Sequence, residues 1–581
     1  MTQTRRPRGP ETCLPRVDGD ESVTQTPVSR RAFIAAAGGI ATAAAVSPDS
    51  LLLAGQEAES ASGPVESAPP GVVTPGHQRR ARAAAIRHRA ELFNRKLPIQ
   101  DHPTSGDEEL YPNRIGNYSK GLPHDGLGEV ERAAYEQLLN ALSTGAHEDF
   151  EHITMGCPSL ADQRKLVNPK AGLAFDLQGT DSRQFTMRAA PALASSEAAG
   201  EAVELYWMAL LRDVNFLDYD TDSDAHAAAA DLSAMSDFRG PKLRGKVTTG
   251  TLFRDKLPGC LAGPYVSQFL WLDTPFGAEF VERRMRTLVS GIDYLTSFPD
   301  WLAAQDGCSP QQTDALDPVR CYIRNGRDLA QWVHVDVLFQ AYFNAMLILL
   351  GMNAPLSPGN PYIDSRTMQG FGTFGGPHVA TITCEPATRA LKAVWFQKWF
   401  VHRRLRPEAY GARVHNTLTG AAAYPIHHDV LDSVALSRVF SAYGSYLLPQ
   451  AYPEGSPLHP SYGAGHATVA GACVTMLKAM FDESYVIPDP VVPTPDGTAL
   501  VPYTRPDAGR LTVGGELNKL ASNVAAGRNL AGIHWRTDGV ESLKLGEAVS
   551  ISILRDQLET FQEDFGGFTL TKFDGTALTI S

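Results

Sequence analysis

Three stretches in the last third of the chain put basic side chains where an apolar helix would bury them. The first is Lys398-Trp399-Phe400-Val401-His402-Arg403-Arg404-Leu405-Arg406-Pro407. Eight residues of helix carry the chain about 80° round the axis, so Lys398 and Arg406 are expected on one side two turns apart, with Pro407 closing that helix. Two cations on one apolar face repel each other and lose hydration, and an anion between them relieves both costs. The second stretch is P-E-G-S-P-L-H-P-S-Y-G-A-G-H over 453–466, followed by the small-residue apolar run A-T-V-A-G-A-C-V-T-M-L-K-A-M. Gly463 and Gly465 let backbone N–H groups approach a ligand at the positive end of the helix that follows, and His466 stands at the junction. The third is Arg528-Asn529-Leu530-Ala531-Gly532-Ile533-His534-Trp535-Arg536-Thr537-Asp538-Gly539. In an unbroken helix Arg528 and His534 would sit about 240° apart. Gly532 supplies the break that lets both face a common centre, and Asp538 either starts the next helix or orients a nearby cation.

Lys398, Arg406, Gly465, His466, Arg528 and His534 therefore form one candidate site. Guanidinium forks bind the oxygens of a tetrahedral oxyanion in pairs, and the lysine adds a mobile charge. One histidine can attack or ligate the central atom while the other moves a proton to or from an oxygen. Arg403, Arg404 and Arg536 read instead as surface cations.

The elements that must position this set are helical. Candidate helices lie at 77–96 (basic), 129–144, 192–214, 322–350, 384–405, 429–445, 466–480, 514–531 and 538–561, and helix following helix with few strands predicts a mainly α, helical-bundle fold with minor β hairpins. One such hairpin is expected within 161–190, where A-G-L-A-F-D-L and R-Q-F-T-M alternate around a turn. The alternating acids Asp218 to Asp224 lack the glycine and the glutamate of a calcium loop and read as a helix-capping loop. Helix 329–350 is apolar enough for a homodimer interface or for one large core.

Charged residues are 20% of the chain and hydrophobic residues 43%, a globular composition, and the net charge of -12 argues against general binding to nucleic acid or acidic membrane. No apolar run in the body of the chain reaches membrane-spanning length. Seven scattered cysteines (13, 157, 260, 308, 321, 384, 473) make neither a disulfide framework nor a cysteine zinc site. Cys308 and Cys321 bracket a polar segment and are a candidate disulfide, with two ordinary thiols as the alternative. At the front, Ser29-Arg30-Arg31-Ala32-Phe33-Ile34 precedes an alanine-rich apolar run and the small residues 43–45, as in a twin-arginine export signal over 1–45. Residues 46–76 follow as a linker, leaving 77–581 as the folded domain, with its anion-site core at about 384–562.

The motifs K-W-F-V-H-R-R-L-R-P, H-P-S-Y-G-A-G-H and G-R-N-L-A-G-I-H-W-R-T-D-G resemble the signature stretches of vanadium-dependent haloperoxidases of the algal and bacterial branch, whose helical core is shared with type 2 phosphatidic acid phosphatases. E-L-Y-W-M-A-L-L-R-D, G-P-Y-V-S-Q-F-L and G-R-D-L-A-Q-W-V-H extend the likeness over about 120–562. The resemblance implies a vanadate cofactor and no haem. His534 would be its axial ligand, Lys398, Arg406, Arg528 and the Gly465 amide would bind its oxygens, His466 would be the acid/base, and His459 would be a second histidine near the halide path. Hydrogen peroxide, a halide and an electron-rich organic compound would be the reactants, with bromide or chloride oxidised to a hypohalous acid equivalent. One position departs from the pattern: the family's serine before Gly-His is Ala464, for which Ser461 or Tyr462 are candidate substitutes. Three alternatives stay open: a phosphatase acting through a phosphohistidine at His534, a vanadate-free enzyme of specialised metabolism, and a phosphate-binding or structural protein without turnover.

Overall fold

Glycine- and proline-marked breaks cut the chain into many helices, nine of which carry the site and its frame. The computed structural model describes residues 76–581, so the export signal and all but the last residue of the linker lie outside the described residues. These nine are α1 (Gly76–Arg95), α2 (Ser196–Leu210), α3 (Gly326–Val335), α4 (Gln340–Gly351), α5 (Pro386–Phe396), α6 (Pro407–Thr419), α7 (Gly465–Met480), α8 (Val513–Leu530) and α9 (Arg536–Leu558). One continuous hydrophobic core runs through α2 to α9, from Ile115 to Ile580. The basic helix α1 has no buried residue, and its Arg89 reaches Glu559 at 2.8 Å, just past the end of α9.

α7 is the central rod. All its residues except His466 are buried, as its small apolar composition requires. Its main neighbour is α9, and two glycines set the distance between them. A Cβ on Gly471 would lie 2.1 Å from the Leu543 carbonyl oxygen, and one on Gly546 would lie 2.0 Å from that of Thr468. The helices therefore touch backbone to backbone.

Several expectations are corrected. Residues 322–350 are not one helix: α3 and α4 meet at 101°, and the break contains Asp336, whose backbone is extended. The helix expected over 384–405 becomes α5 followed by a π-helical turn, Gln397–His402, which stops at Arg403 in the left-handed conformation (φ 38°). Pro407 does not end that helix. It occupies the first turn of α6, where its missing N–H costs nothing, and Arg406 is the N-cap residue. Lys398 and Arg406 thus belong to different elements.

The region 161–190 holds two short 3₁₀ turns, Pro169–Leu173 and Ser182–Gln184, in place of the expected hairpin. Among the described residues the strands form four two-stranded antiparallel sheets elsewhere, pairing 274–276 with 279–281, 285–288 with 316–321, 491–493 with 500–502 and 568–571 with 577–580. Asp222 caps the helix Ser223–Ala234 through the Asp224 and Ala225 N–H groups, as a capping loop should. The disulfide joins Cys157 to Cys308, and Cys321 is a buried free thiol, so the Cys308–Cys321 pairing is wrong. Among the described residues no single helix is long and apolar enough to cross a membrane.

Gly546→Ala forces a methyl group into the Thr468 carbonyl and should destabilise the chain by about 3 kcal/mol. Urea unfolding of the variant beside the parent measures this; an unchanged midpoint would contradict the backbone contact.

Candidate active site

Each of the three motifs delivers its basic groups from an element end. Lys398 lies in the π-helical turn and is fully buried, and its Nζ donates to the carbonyls of Pro460 (2.7 Å) and Ser461 (3.0 Å). Arg406, at the start of α6, donates from Nε to the His459 carbonyl (3.0 Å) and from Nη1 to the Ile533 carbonyl (2.8 Å). Arg528 closes α8 and donates to the Val333 carbonyl at 2.6 Å, while its buried Nε has no partner. Gly532 (φ 86°) makes the break after α8, as its place in the motif predicts.

Arg406 also fixes two histidine tautomers. A guanidinium only donates, so the His534 Nε2 that it meets at 3.0 Å must accept, and the ring proton sits on Nδ1, which donates to Asp538 Oδ2 at 2.8 Å. By the same reasoning His459 Nδ1 accepts from Arg406 Nη2 at 2.9 Å; the Pro460 carbonyl, 3.2 Å from that nitrogen, then receives no proton from it. The His459 ring also packs on Trp395, 4.9 Å between centroids. His466 donates from Nε2 to Asp336 at 2.9 Å, which leaves Nδ1 as its free lone pair.

The electrostatics agree with convergence. Burial first, then Arg406 and Arg528, pushes Lys398 well below the ordinary lysine range. Burial holds the Arg406 guanidinium down at about 10. Burial, then Arg406, Lys398 and Arg528, holds His534 well below the usual histidine range. Burial, then Lys398 and Arg406, does the same to His459. His466 is lowered by burial and by Arg528, with Asp336 opposing. Among the described residues no carboxylate pairs with Lys398, Arg406 or Arg528, whose bonds go to carbonyls and imidazoles. A pocket with this much unneutralised charge and an orphaned arginine Nε suits an oxyanion.

The start of α7 completes the pocket. Ala464 is its N-cap residue and offers no side-chain cap, so the first N–H groups of the helix remain open to a ligand. A Cβ on Gly465 would meet Trp395 at 3.0 Å, whereas Gly463 faces the Ser542 hydroxyl of α9 and serves packing. Neither candidate substitute for the missing serine is free: the Ser461 hydroxyl donates to Asp538 and the Tyr462 hydroxyl to the Arg188 carbonyl.

Sequence reasoning missed the frame around these groups. Arg404 and Arg536 are not surface cations. Arg404 is buried between Asp538 (2.9 Å) and Glu201 (2.8 Å), Arg536 pairs with Glu204, and Arg403 pairs with Glu108. The spacing of Glu197, Glu201 and Glu204 on the buried helix α2 was the available signal. Asp336 was hidden by reading 322–350 as one helix. The loop 453–457 is held from below by the buried Lys120–Glu408 pair (2.6 Å): Glu408 accepts from the Ser456 N–H and hydroxyl, both at 2.7 Å, and Lys120 donates to the Glu454 and Ser456 carbonyls. Nothing in the local sequence marks that pair.

Comparison with known proteins fits this geometry. Residues 389–563 match the family model described as the VCPO second helical-bundle domain. The vanadium-dependent bromoperoxidase of Corallina officinalis is 37% identical over 560 residues, covering 82% of this chain and 92% of that protein. The chain belongs to the vanadium-dependent bromoperoxidase family. A second member, from Ascophyllum nodosum, is 36% identical over 485 residues, covering 80% of this chain and 86% of that one. The solved homohexameric second vanadate-dependent bromoperoxidase of Ascophyllum nodosum superposes with a TM-score of 0.82 at 31% identity, over 90% of this chain and 95% of that one. The mainly α fold expected from the motifs is thus the fold of this bromoperoxidase family.

Asp538→Asn removes the charge that holds both His534 and Arg404. Orthovanadate affinity, read as vanadium retained after gel filtration, should fall about 10–100-fold. Undiminished retention would show that the carboxylate does not orient His534.

Proposed function

We propose that this chain is a vanadate-dependent haloperoxidase that uses hydrogen peroxide to oxidise bromide, or chloride, to a hypohalous acid equivalent that halogenates electron-rich organic compounds. One observation carries the reading: Lys398, Arg406 and Arg528 are buried with no carboxylate paired to any of them, beside His534, His466 and the uncapped start of α7. Lys398, Arg406, Arg528 and the Gly465 N–H would hold the oxygens of vanadate, and His534 Nε2 is the nitrogen that would bind it. When bound, vanadate supplies Lewis-acid activation of peroxide without changing oxidation state.

The protein's own groups then have distinct tasks. Asp538 keeps the His534 proton on Nδ1, so Nε2 carries the lone pair, which now accepts from Arg406 and which a bound group would take over. Asp336 keeps the His466 proton on Nε2, so Nδ1 is the base that takes a proton from incoming peroxide and returns it to a leaving oxygen. Lys398, held by two carbonyls and not by a carboxylate, is pushed down by burial and by Arg406, and a bound oxyanion would favour its charged form beside the reacting oxygens. His459, on the Trp395 side of Arg406, is the group we assign to the halide approach. Export by the twin-arginine route belongs to the same reading, supported by the Ser29–Ile34 motif and by a disulfide suited to an oxidising compartment.

The deciding assay follows bromination and chlorination of a phenolic dye by apo-protein, with and without orthovanadate, beside hydrolysis of an aryl phosphate. Halogenation restored by vanadate and lost in His534→Ala is the expected result. Phosphate-ester turnover without vanadate would replace this reading with the phosphatase, and silence in both assays with the vanadate-free enzyme. A pH profile tests His466. Its imidazole must be neutral to accept a proton, so kcat/KM for peroxide falls as pH drops through its pKa. Asp336 raises that pKa against burial and Arg528, so Asp336→Asn should move the acid limb to lower pH. A limb that stays put, or moves up, rejects the assignment.

A further inference from the structure

A second group of ligating side chains lies away from the anion pocket. His427, His428 and Asp429 stand together at the start of the short helix His428–Leu431, which packs against α2. One nitrogen from each histidine and one oxygen of Asp429 all lie within 4.8 Å of one another. His428 Nε2 is 3.3 Å and His427 Nδ1 is 3.8 Å from Asp429 Oδ1. A tetrahedral ion with bonds of about 2.0–2.1 Å has ligand-to-ligand edges of about 3.4 Å, so two edges of the triangle are close to the required length before any ion enters.

The carboxylate is already oriented. The Ser236 N–H donates to Asp429 Oδ2 (2.8 Å) and the Ser236 hydroxyl to Oδ1 (3.1 Å), the kind of support that ligating carboxylates receive. His427 Nδ1 now accepts the Asp429 N–H at 3.2 Å, and an ion would take over that weakly held lone pair. His428 is largely exposed, so the ion reaches the group from solvent and keeps a position for water.

We propose that His427, His428 and Asp429 form a binding site for one divalent transition-metal cation of the zinc class, separate from the anion centre. Two imidazoles and one carboxylate favour zinc, nickel or copper over magnesium or calcium, which prefer an all-oxygen shell. The same set is wrong for vanadate: the group contains no lysine or arginine, and its carboxylate repels an oxyanion. Because Asp429 is bonded to Ser236, beyond the helix Ser223–Ala234, an ion here would fasten residues 427–429 to that segment.

The test uses full-length, tag-free protein stripped with chelator and titrated with zinc by calorimetry. The expected result is one zinc per chain with micromolar affinity, weakened at least about tenfold in His428→Ala and unchanged in His534→Ala. Cobalt in place of zinc should give the visible bands of a four- or five-coordinate N/O site, absent from His428→Ala. Zinc should raise the unfolding temperature of the parent but not of that variant, whose exposed ring makes it a mild change to the fold. Equal zinc affinity in parent and His428→Ala, or only weak binding at several sites, would mean an adventitious ion only and would overturn the proposal. Zinc binding that His534→Ala abolishes would place the ion in the anion pocket and overturn it as well.

Discussion

The carboxylate of Asp538 joins the three motifs. One oxygen takes the Arg404 guanidinium of the first stretch, and the other takes the Ser461 hydroxyl of the second, the His534 imidazole of the third and the Trp535 N–H. The group is wholly buried, so each of these bonds forms in a medium where an unpaired charge would cost several kcal/mol. Arg404 is in turn closed off by Glu201, whose other oxygen receives the Thr537 N–H and hydroxyl. The network is satisfied on the protein side, and that is what lets the neighbouring cations remain unsatisfied.

The contrast between the two sets of arginines explains the chemistry. Arg403, Arg404 and Arg536 each meet a carboxylate and hold helices together. Arg406 and Arg528 meet carbonyls, two imidazoles or nothing, and with Lys398 they create a site whose missing counter-charge is the ligand. Burial depresses Lys398, so its charge calls for an anion, and it lowers His459, His466 and His534, which favours neutral imidazoles.

Precision comes from packing around α7. Its glycine contact with α9 brings the Ser542 hydroxyl against the Ala464 N–H at 2.8 Å, and the anion loop is clamped from the other side by Lys120 and Glu408. With Ala464 at the N-cap position and the Ser461 and Tyr462 hydroxyls committed elsewhere, the start of α7 offers a ligand backbone N–H groups and the His466 imidazole but no hydroxyl.

By itself the sequence determined the helical character of the domain and the break at Gly532, and it singled out six residues as candidates for an anion pocket. Those are local properties: apolar periodicity, a glycine where the chain must turn left-handed, and cations too close together to be left alone. Only the tertiary structure decided which arginines are neutralised, because Arg404 finds Asp538 134 residues away and Glu201 203 residues away, and no window of sequence contains both partners. It also decided that Arg406 begins a helix, that α3 and α4 part at Asp336, and that Cys308 bridges to Cys157 and not to Cys321. Each of those outcomes depends on what packs against the segment from elsewhere in the chain, so the chemistry was legible from residue types while its geometry had to wait for the fold.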